Sequence, residues 1–443
     1  MENKIHDLGD GLILRRATCE DTDALAQFNG TIHRPAESTS VNEAIVALVQ
    51  DLTVRPHTTC QASDFSIVED TRCRQIVSSM CLINQTWSYA GIPFGVGRPE
   101  LVGTNPEYRN RGLMRAQFEL VHRWSAERGH LLQAITGIPY YYRQFGYEYA
   151  IALGGGRTGA AFQIPALQDG TEEPFTVRKA QVADLAFLGQ MYELGCQRSL
   201  VACIRDQAVW RYELDGRSPG SDCCAELRVV ETRSGQPIGF LTHGPHVQNG
   251  CVNIGQYELA PQASWIEVTP SVLRYIKAFG EDCVARKGQG SFTHYGFWLG
   301  PEHPVYQVIG SRLPNNVPSY AWYIRVPDLV AFIQLIAPVL EQRLAASLAP
   351  GYAGEIKISF FCSGLSMVWE NGKLSKVDTW RPSAREWGAA RFPDLTLSQL
   401  VFGFRTIEEL QQAFPDCRGG NDDVHLVLTA LFPKMTSTIW PLE

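Results

Sequence analysis

The sequence predicts an α/β (α+β) fold, in which two similar α/β units are followed by a third, α+β region. Three observations support this prediction. Two openings resemble each other, strand-like apolar runs alternate with amphipathic helical patterns, and a length of 443 residues suits about three domains at roughly 150 residues each. The composition, 45% hydrophobic and 19% charged, is typical of globular domains with sizeable cores.

The two similar openings indicate a duplicated unit. RRATCEDTDAL (residues 15–25) and RKAQVADLAFL (residues 178–188) share Arg, a second basic residue, Ala, Asp and Leu at equal spacings. Each follows a strand-like run and leads into a helical pattern, and the offset between them matches the length of one α/β domain. The alternative is a chance match between two short segments.

The predicted domain limits are 1–155 for the first unit, 175–325 for the second and 326–443 for the third region. Between the first two lies a segment rich in Gly and turn formers (154–174), which we interpret as a connector. The third region begins with an apolar, helix-like run (329–346). Two strand-like segments follow, the second with an Asn-Gly hairpin turn at Asn371 and Gly372, and then two short helical patterns.

Charge and composition argue against several classes of protein. The net charge of −7 and the lack of a long Lys/Arg run make a nucleic-acid-binding face unexpected. The cysteines form no C-x-x-C pattern and the histidines no H-x-x-x-H pattern, so no metal site is expected. The N terminus lacks the features of a signal peptide, and the longest apolar stretch (329–340) is too short to span a bilayer. We therefore expect a cytoplasmic protein without a membrane partner.

The segment NPEYRNRGLM (105–114) predicts an anion site. It follows a strand ending near Val102 and opens an amphipathic helix that begins near Gly112 and ends near Gly129. A helix start exposes unpaired N–H groups and the positive end of the helix dipole, and a glycine lets the backbone approach a phosphate. Arg109 and Arg111 add planar donors that suit phosphate oxygens. The alternative is a surface turn with solvated arginines.

Two motifs resemble a known family. LVGTNPEYRNRGLMRAQF is similar to the acetyl-CoA signature of the GNAT acyltransferase superfamily, V-x-x-x-P-x-x-R-x-[RQ]-G-[LIY]. YYYRQFGYEYA (140–150) resembles the segment that closes this domain in the enhanced-intracellular-survival (Eis) acetyltransferases. The resemblance implies two tandem GNAT-like mixed-sheet domains followed by a sterol-carrier-protein-like domain, with acetyl-CoA as co-substrate.

The resemblance also implies roles for individual residues. The pantetheine arm would meet the backbone of Val102, Gly103 and Thr104, and the pyrophosphate would lie in a cradle formed by Arg109, Asn110, Arg111, Gly112, Leu113, Met114 and Arg115. Tyr142 would be the general acid, although Tyr140 and Tyr141 beside it leave the register open. A structural alternative for Tyr142 is a half-buried aromatic residue at the sheet edge.

In the family that this chain resembles, the base is the C-terminal carboxylate, which here belongs to Glu443. The side-chain carboxylate of Glu443 or a relaying water could serve instead, and the alternative is a solvated tail. The second unit has no R-x-R-G. Its segment IEVTPSVLRYIKAFG predicts a strand, Pro270 and a helix, but no coenzyme A site.

The function implied is acetyl transfer from acetyl-CoA to a primary amine by direct attack. The acceptor would be a small polyamine, an aminoglycoside-like molecule or a lysine side chain, and a homo-oligomer is expected by analogy. The alternative function is a non-catalytic protein that binds an apolar ligand in the third region, with a relic first domain.

Overall fold

The computed structural model of the protein describes residues 5–54, 57–288, 290–383, 390–437 and 439. Within these ranges the chain is a mixed α/β protein whose strands form three sheets, as the sequence predicts. No helix in these ranges has both the length and the apolar character that a membrane span requires.

The first part of the chain supplies most of the first sheet and three helices. In chain order the elements are β1 (His6–Gly9), β2 (Leu12–Arg16), α1 (Thr22–Ile32), α2 (Glu43–Thr53), β3 (Phe65–Asp70), β4 (Gln75–Tyr89), β5 (Ile92–Thr104), α3 (Leu113–Glu127), β6 (Leu132–Ile135) and β7 (Glu148–Leu153). The expected strand–turn–strand is β4 and β5, which are antiparallel and joined at Ala90 and Gly91, both with positive φ. The predicted amphipathic helix is α3.

The second part of the chain forms most of the second sheet. Its elements are β8 (Gly156–Ala160), β9 (Phe175–Lys179), α4 (Leu185–Cys196), β10 (Val201–Cys203), α5 (Gln207–Arg211), β11 (Glu226–Thr232), β12 (Pro237–His243), β13 (Cys251–Leu259), α6 (Trp265–Lys287), β14 (His294–Phe297), α7 (Pro304–Ile309), β15 (Asn315–Val317) and β16 (Tyr320–Arg325). The sheet order is β15-β8-β14-β13-β12-β11-β9.

The second unit contributes two strands to the first sheet. The first sheet has the order β1-β2-β3-β4-β5-β6-β16-β7, so β16 lies between two strands of the first unit, and β10 pairs with β4. The prediction of a connector is wrong for residues 156–160, because β8 is a strand of the second sheet. A Cβ on Gly156 or Gly159 would lie 1.9 or 2.0 Å from a backbone oxygen of a neighbouring segment. These glycines therefore allow close backbone approach rather than a turn.

A second correction concerns the residues before Pro270. They were expected to form a strand, but they lie in the first turns of α6. The Ser264 side chain accepts a hydrogen bond from the Glu267 N–H at 3.4 Å and caps this helix. Pro270 is tolerated because it lies near the start of this helix. Its missing N–H leaves only the carbonyl of Ile266 without a helical hydrogen bond, and Ile266 is an exposed residue.

The two similar openings fold in the same way. The Arg15 guanidinium donates to both carboxylate oxygens of Asp21 at 2.8 Å, and Arg178 donates to those of Asp184 at 2.6 and 2.8 Å. Each arginine also pairs with a glutamate on the adjacent strand, β3 or β11. The shared residues thus make the same ion pairs in both units, which supports duplication over a chance match.

The third region is α+β, with elements α8 (Leu329–Leu335), α9 (Ala337–Ala345), β17 (Gly354–Ser359), β18 (Gly364–Glu370), β19 (Lys373–Trp380), β20 (Ala390–Arg391), α10 (Leu397–Val401), α11 (Ile407–Ala413) and α12 (Asp422–Leu431). The expected helix-like run is two helices that meet just before Pro338. Asn371 and Gly372 both have positive φ, as a type I′ hairpin requires. The helix α12 was not predicted. One apolar core joins this region to β4, β6 and β16 of the first sheet.

Candidate active site

The first sheet opens into a cleft where two parallel strands diverge. β5 and β6 pair only through Val96 with Leu132 and Gly97 with Gln133, and beyond these pairs the end of β5 is free of its neighbour. Such a split at the carboxyl ends of parallel strands is a common place for a ligand. The cleft has a volume of about 930 Å³.

Most of the cofactor residues implied by the resemblance line this cleft. The structure brings together Val102, Gly103, Thr104, Arg109, Asn110, Gly112, Leu113, Met114 and Arg115. Arg111 is not among the lining residues. Its guanidinium lies 4.9 Å from the Tyr108 ring and donates to the Glu107 carbonyl at 3.3 Å. Of the two arginines named in the sequence motif, Arg109 therefore borders the cleft, whereas Arg111 contacts other residues of the turn.

The start of α3 is built to leave backbone N–H groups available. Gly112 is the N-cap residue with φ of 77°, no side chain caps the helix, and the first turn contains no acidic residue. Asn110 also has a positive φ of 62°, so two residues just before the helix have left-handed backbone conformations. Because the first N–H groups of a helix have no partner within it, this turn presents several donors and a positive dipole to the cleft.

Tyr142 also lines the cleft, in a short 3-10 helix formed by Tyr141–Phe145. Its side chain is buried against Phe118 and Tyr323, with ring centroids at 6.1 and 5.4 Å. Burial raises the pKa of Tyr142 above its ordinary value, and a hydrogen bond from the Ile138 backbone acts against this increase. The hydroxyl is therefore protonated at neutral pH.

The neighbouring tyrosines differ in position. Tyr141 lines the cleft as a half-buried residue, whereas Tyr140 is 70% exposed and is not among the lining residues. The alternative that Tyr142 only plugs the sheet edge is consistent with its burial but leaves its position in the cleft unexplained. Of the three tyrosines, Tyr142 is the most deeply buried residue in the cleft wall.

Sequence reasoning missed two titratable residues in the cleft. Glu100 on β5 lines it, and the buried Arg98 donates to its carboxylate at 2.9 Å. His33, at the end of α1, lines it as well, and burial lowers its pKa, so its ring is neutral near neutral pH. Glu100 could have been found from the sequence, because it lies two residues before Val102 on the strand that was expected to hold pantetheine. His33 carried no such signal.

The equivalent split in the second sheet leaves little open space: the cavity lined by residues 255–258, Leu299 and His303 has a volume of about 70 Å³. β13 and β14 are also parallel, and their pairing ends at Ile254 and Phe297. Beyond this point the rings of Trp265 and His303 pack together at 5.4 Å. The helix that follows is capped by the serine described above and carries an acidic residue in its first turn. Unlike α3, α6 therefore does not begin with an uncapped turn that could accept a phosphate.

Glu443 lies outside the described residues. The described part of the tail runs beside β10, where the Leu200 N–H donates to the Thr436 carbonyl at 2.9 Å and the Val201 N–H to the Ser437 hydroxyl at 3.1 Å. Ile439 is buried in the apolar core that contains parts of the first sheet. Among the described residues, no group of three or more His, Cys, Asp or Glu could hold a metal ion.

Comparisons with known proteins concern the domain that contains this cleft and the fold of the whole chain. Residues 35–150, which include the cleft, match the family model described as an acetyltransferase (GNAT) domain. A GCN5-related N-acetyltransferase from Kribbella flavida has the same fold at 16% identity and a TM-score of 0.65, with 97% of each chain covered. A GCN5-related N-acetyltransferase from Anabaena variabilis has 13% identity and a TM-score of 0.64, covering 97% of this chain and 99% of that one. No curated protein matches the sequence.

Residues 35–150 thus match a GNAT acetyltransferase domain, and acyl transfer is the activity that this match supports. The chain is also similar in fold to an Eis protein. The crystal structure of Eis1 from Mycobacterium abscessus covers 96% of this chain and 98% of its own, at 13% identity and a TM-score of 0.58. The resemblance stated from the two motifs is thereby confirmed, while identities this low show the fold alone.

Proposed function

We propose that the protein transfers an acetyl group from acetyl-CoA to a primary amine. The acceptor class that we propose is a small polyamine, an aminoglycoside-like molecule or a lysine side chain. One observation carries the proposal: the free edge of β5, the uncapped start of α3 and the Tyr142 hydroxyl meet in one cleft. GNAT domains use acetyl-CoA, and these three features match its pantetheine, its pyrophosphate and its sulfur.

In this proposal the pantetheine amides pair with the backbone of residues 102–104, as an added strand would. The pyrophosphate accepts hydrogen bonds from the N–H groups at the start of α3, and Arg109 and Arg115 balance its charge. The limits of the domains, 1–155, 175–325 and 326–443, belong to the same proposal. The first would be catalytic, the second a wall of the acceptor cleft, and the third sterol-carrier-like.

The reaction would proceed without an acyl-enzyme. The neutral amine nitrogen attacks the thioester carbonyl, a tetrahedral intermediate forms, and the C–S bond breaks as the carbonyl reforms. The departing thiolate takes a proton from the Tyr142 hydroxyl, while a base accepts the proton that the amine loses. A tyrosine suits this role because its ordinary pKa is about 10 and burial keeps it protonated.

For the base we propose the C-terminal group of Glu443, acting directly or through a water. Ile439 is buried beside the first sheet, and the four residues that follow can extend by about 14 Å at most. β10, on which the tail lies, pairs with β4 of the sheet that forms the cleft. These contacts support a docked tail rather than a solvated one.

Coenzyme A should stabilise the protein against heat. A ligand at about 100 times its dissociation constant adds about 2.7 kcal/mol to the free energy of unfolding, which is a clear shift of the melting midpoint. Pantetheine, which lacks the pyrophosphate, should shift the midpoint much less. Release of free thiol from acetyl-CoA with a panel of amines then tests the reaction. If coenzyme A gives no shift and no amine releases thiol, the non-catalytic alternative that binds an apolar ligand is favoured.

Removing Leu442 and Glu443 should lower kcat and change the acidic limb of the pH–rate profile, because the proposed base is lost. Binding of coenzyme A should change little, since its proposed cradle is formed by β5 and α3. Glu443→Gln is the matched variant, because it keeps the terminal carboxylate and removes only the side-chain one. An unaltered pH–rate profile in the truncated protein would remove the tail from the mechanism.

A further inference from the structure

The hydroxyl of Tyr142 lies against a short loop, residues 137–140, which precedes the 3-10 helix. A Cβ on Gly137 would lie 3.3 Å from this hydroxyl, and Gly137 has φ of 121°. The Ile138 backbone also acts on this hydroxyl, since it opposes the rise in the pKa of Tyr142. Any shift of the loop would therefore move the one hydroxyl for which we propose proton donation.

The two ends of this loop are joined by a chain of tyrosine hydroxyls. The Tyr140 N–H donates to the Tyr323 hydroxyl, which donates to Tyr149 at 2.5 Å. The oxygens of Tyr149 and Tyr320 are 3.1 Å apart, and the Tyr320 hydroxyl donates to the Gly137 carbonyl at 2.7 Å. Each hydroxyl can thus donate one hydrogen bond and accept one. Together they form a continuous chain from the Tyr140 N–H at one end of the loop to the Gly137 carbonyl at the other.

The rings of these tyrosines reinforce the arrangement. Tyr149 and Tyr323 are stacked with centroids 3.9 Å apart, and Tyr320 meets Tyr149 edge-on at 5.8 Å. The ring of Tyr323 also packs edge-on against Tyr142 itself at 5.4 Å. Both the backbone of the loop and the ring of the proposed acid therefore rest on the same cluster.

We propose that Tyr149, Tyr320 and Tyr323 form a clamp that positions the 137–140 loop and, through it, the Tyr142 hydroxyl. They are positioning residues rather than catalytic ones. The inference rests on the proposed acid role of Tyr142. Tyr320 and Tyr323 belong to β16, so the end of the second unit fixes the geometry of the cleft in the first. Hydrogen bonds in such a chain polarise one another, so loss of one weakens the others.

Tyr320→Phe and Tyr323→Phe test the clamp, because each keeps the ring and removes one hydroxyl. Each should lower kcat about five- to tenfold, the effect of one lost neutral hydrogen bond, and leave the KM for acetyl-CoA within about twofold. Tyr320 is partly exposed, so its variant should fold normally, and the melting midpoint verifies this. Tyr352→Phe, a half-buried tyrosine of the third region, is the control and should retain full turnover.

A double-mutant cycle decides whether the clamp acts through Tyr142. In a Tyr142→Phe background, Tyr323→Phe should have no further effect on kcat, because the hydroxyl that it positions is already absent. Fully additive losses, or unchanged kcat in both clamp variants, would overturn the proposal.

A measurement without turnover separates this inference from the proposed reaction. The 13Cζ resonance of Tyr142, assigned by its disappearance in Tyr142→Phe, should move in the Tyr320 and Tyr323 variants and stay fixed in Tyr352→Phe. If the protein transfers no acetyl group but this resonance moves, the result supports the clamp and contradicts the proposed reaction. A resonance that stays fixed in both clamp variants contradicts the clamp.

Discussion

Replacing Tyr142 with phenylalanine is expected to lower kcat by about 100-fold, the lower end of what a positioned acid contributes. The affinity for coenzyme A should stay within a few-fold, because the proposed pyrophosphate cradle is formed by other residues. Thiol release under saturating acetyl-CoA and amine measures the first quantity, and calorimetric titration with coenzyme A measures the second.

Tyr141→Phe is the matched control for this prediction, since Tyr141 also lines the cleft and differs by one position in the motif. It should keep most of the turnover. If Tyr141→Phe were inactive and Tyr142→Phe active, the register of the motif would be shifted by one residue. If both variants were fully active, neither hydroxyl would be the acid.

The pH dependence follows from the same pKa. Since burial raises the pKa of Tyr142 above its ordinary value of about 10, the hydroxyl is protonated throughout the range in which enzymes are usually assayed. Turnover should rise with pH as the amine and the base lose protons, and ionisation of Tyr142 should cause no decline below about pH 10.

Gly112→Ala is expected to weaken the binding of coenzyme A by at least about tenfold. Gly112 has φ of 77°, and a Cβ built there meets no protein atom within 4 Å. The methyl group would therefore project into open space at the helix start, where we propose the pyrophosphate. Calorimetric titration with coenzyme A measures the loss.

Gly170→Ala separates this effect from backbone strain. Gly170 has φ of 76° and equally open surroundings, so the two substitutions carry nearly the same conformational cost of about 1 kcal/mol. The melting midpoints of both variants should fall alike, but only Gly112→Ala should lose affinity. Equal affinities in the two variants would contradict a phosphate site at α3.

Several features of the cleft could be predicted because their signals are local. The strand, the turn and the helix of the proposed anion site lie within residues 101–127, and each has its own signal: an apolar run, a proline followed by glycine, and a helical period. The roles of individual residues remain proposals, but all of those named for coenzyme A except Arg111 lie together in the cleft.

Other predictions failed where close packing overrides local preference. Residues 154–174 were interpreted as a connector, but Gly156 and Gly159 let β8 approach its neighbours closely within the second sheet. The β-branched residues before Pro270 favour a strand, yet a serine cap and a buried face make them helical. A tertiary contact overrode the local preference in the first case, whereas a local helix cap together with a buried face did so in the second.

By itself, the sequence determined the class of fold, the duplicated opening and the position of the turn for which we propose anion binding, because these depend on residues close together in the chain. Only the tertiary structure decided what surrounds Tyr142. β16 enters the first sheet from about 180 residues away and brings Tyr320 and Tyr323 to the 137–140 loop. No local periodicity encodes the pairing of β16 with β6 and β7, because strands so far apart in the chain are brought together only by the packing of the whole fold.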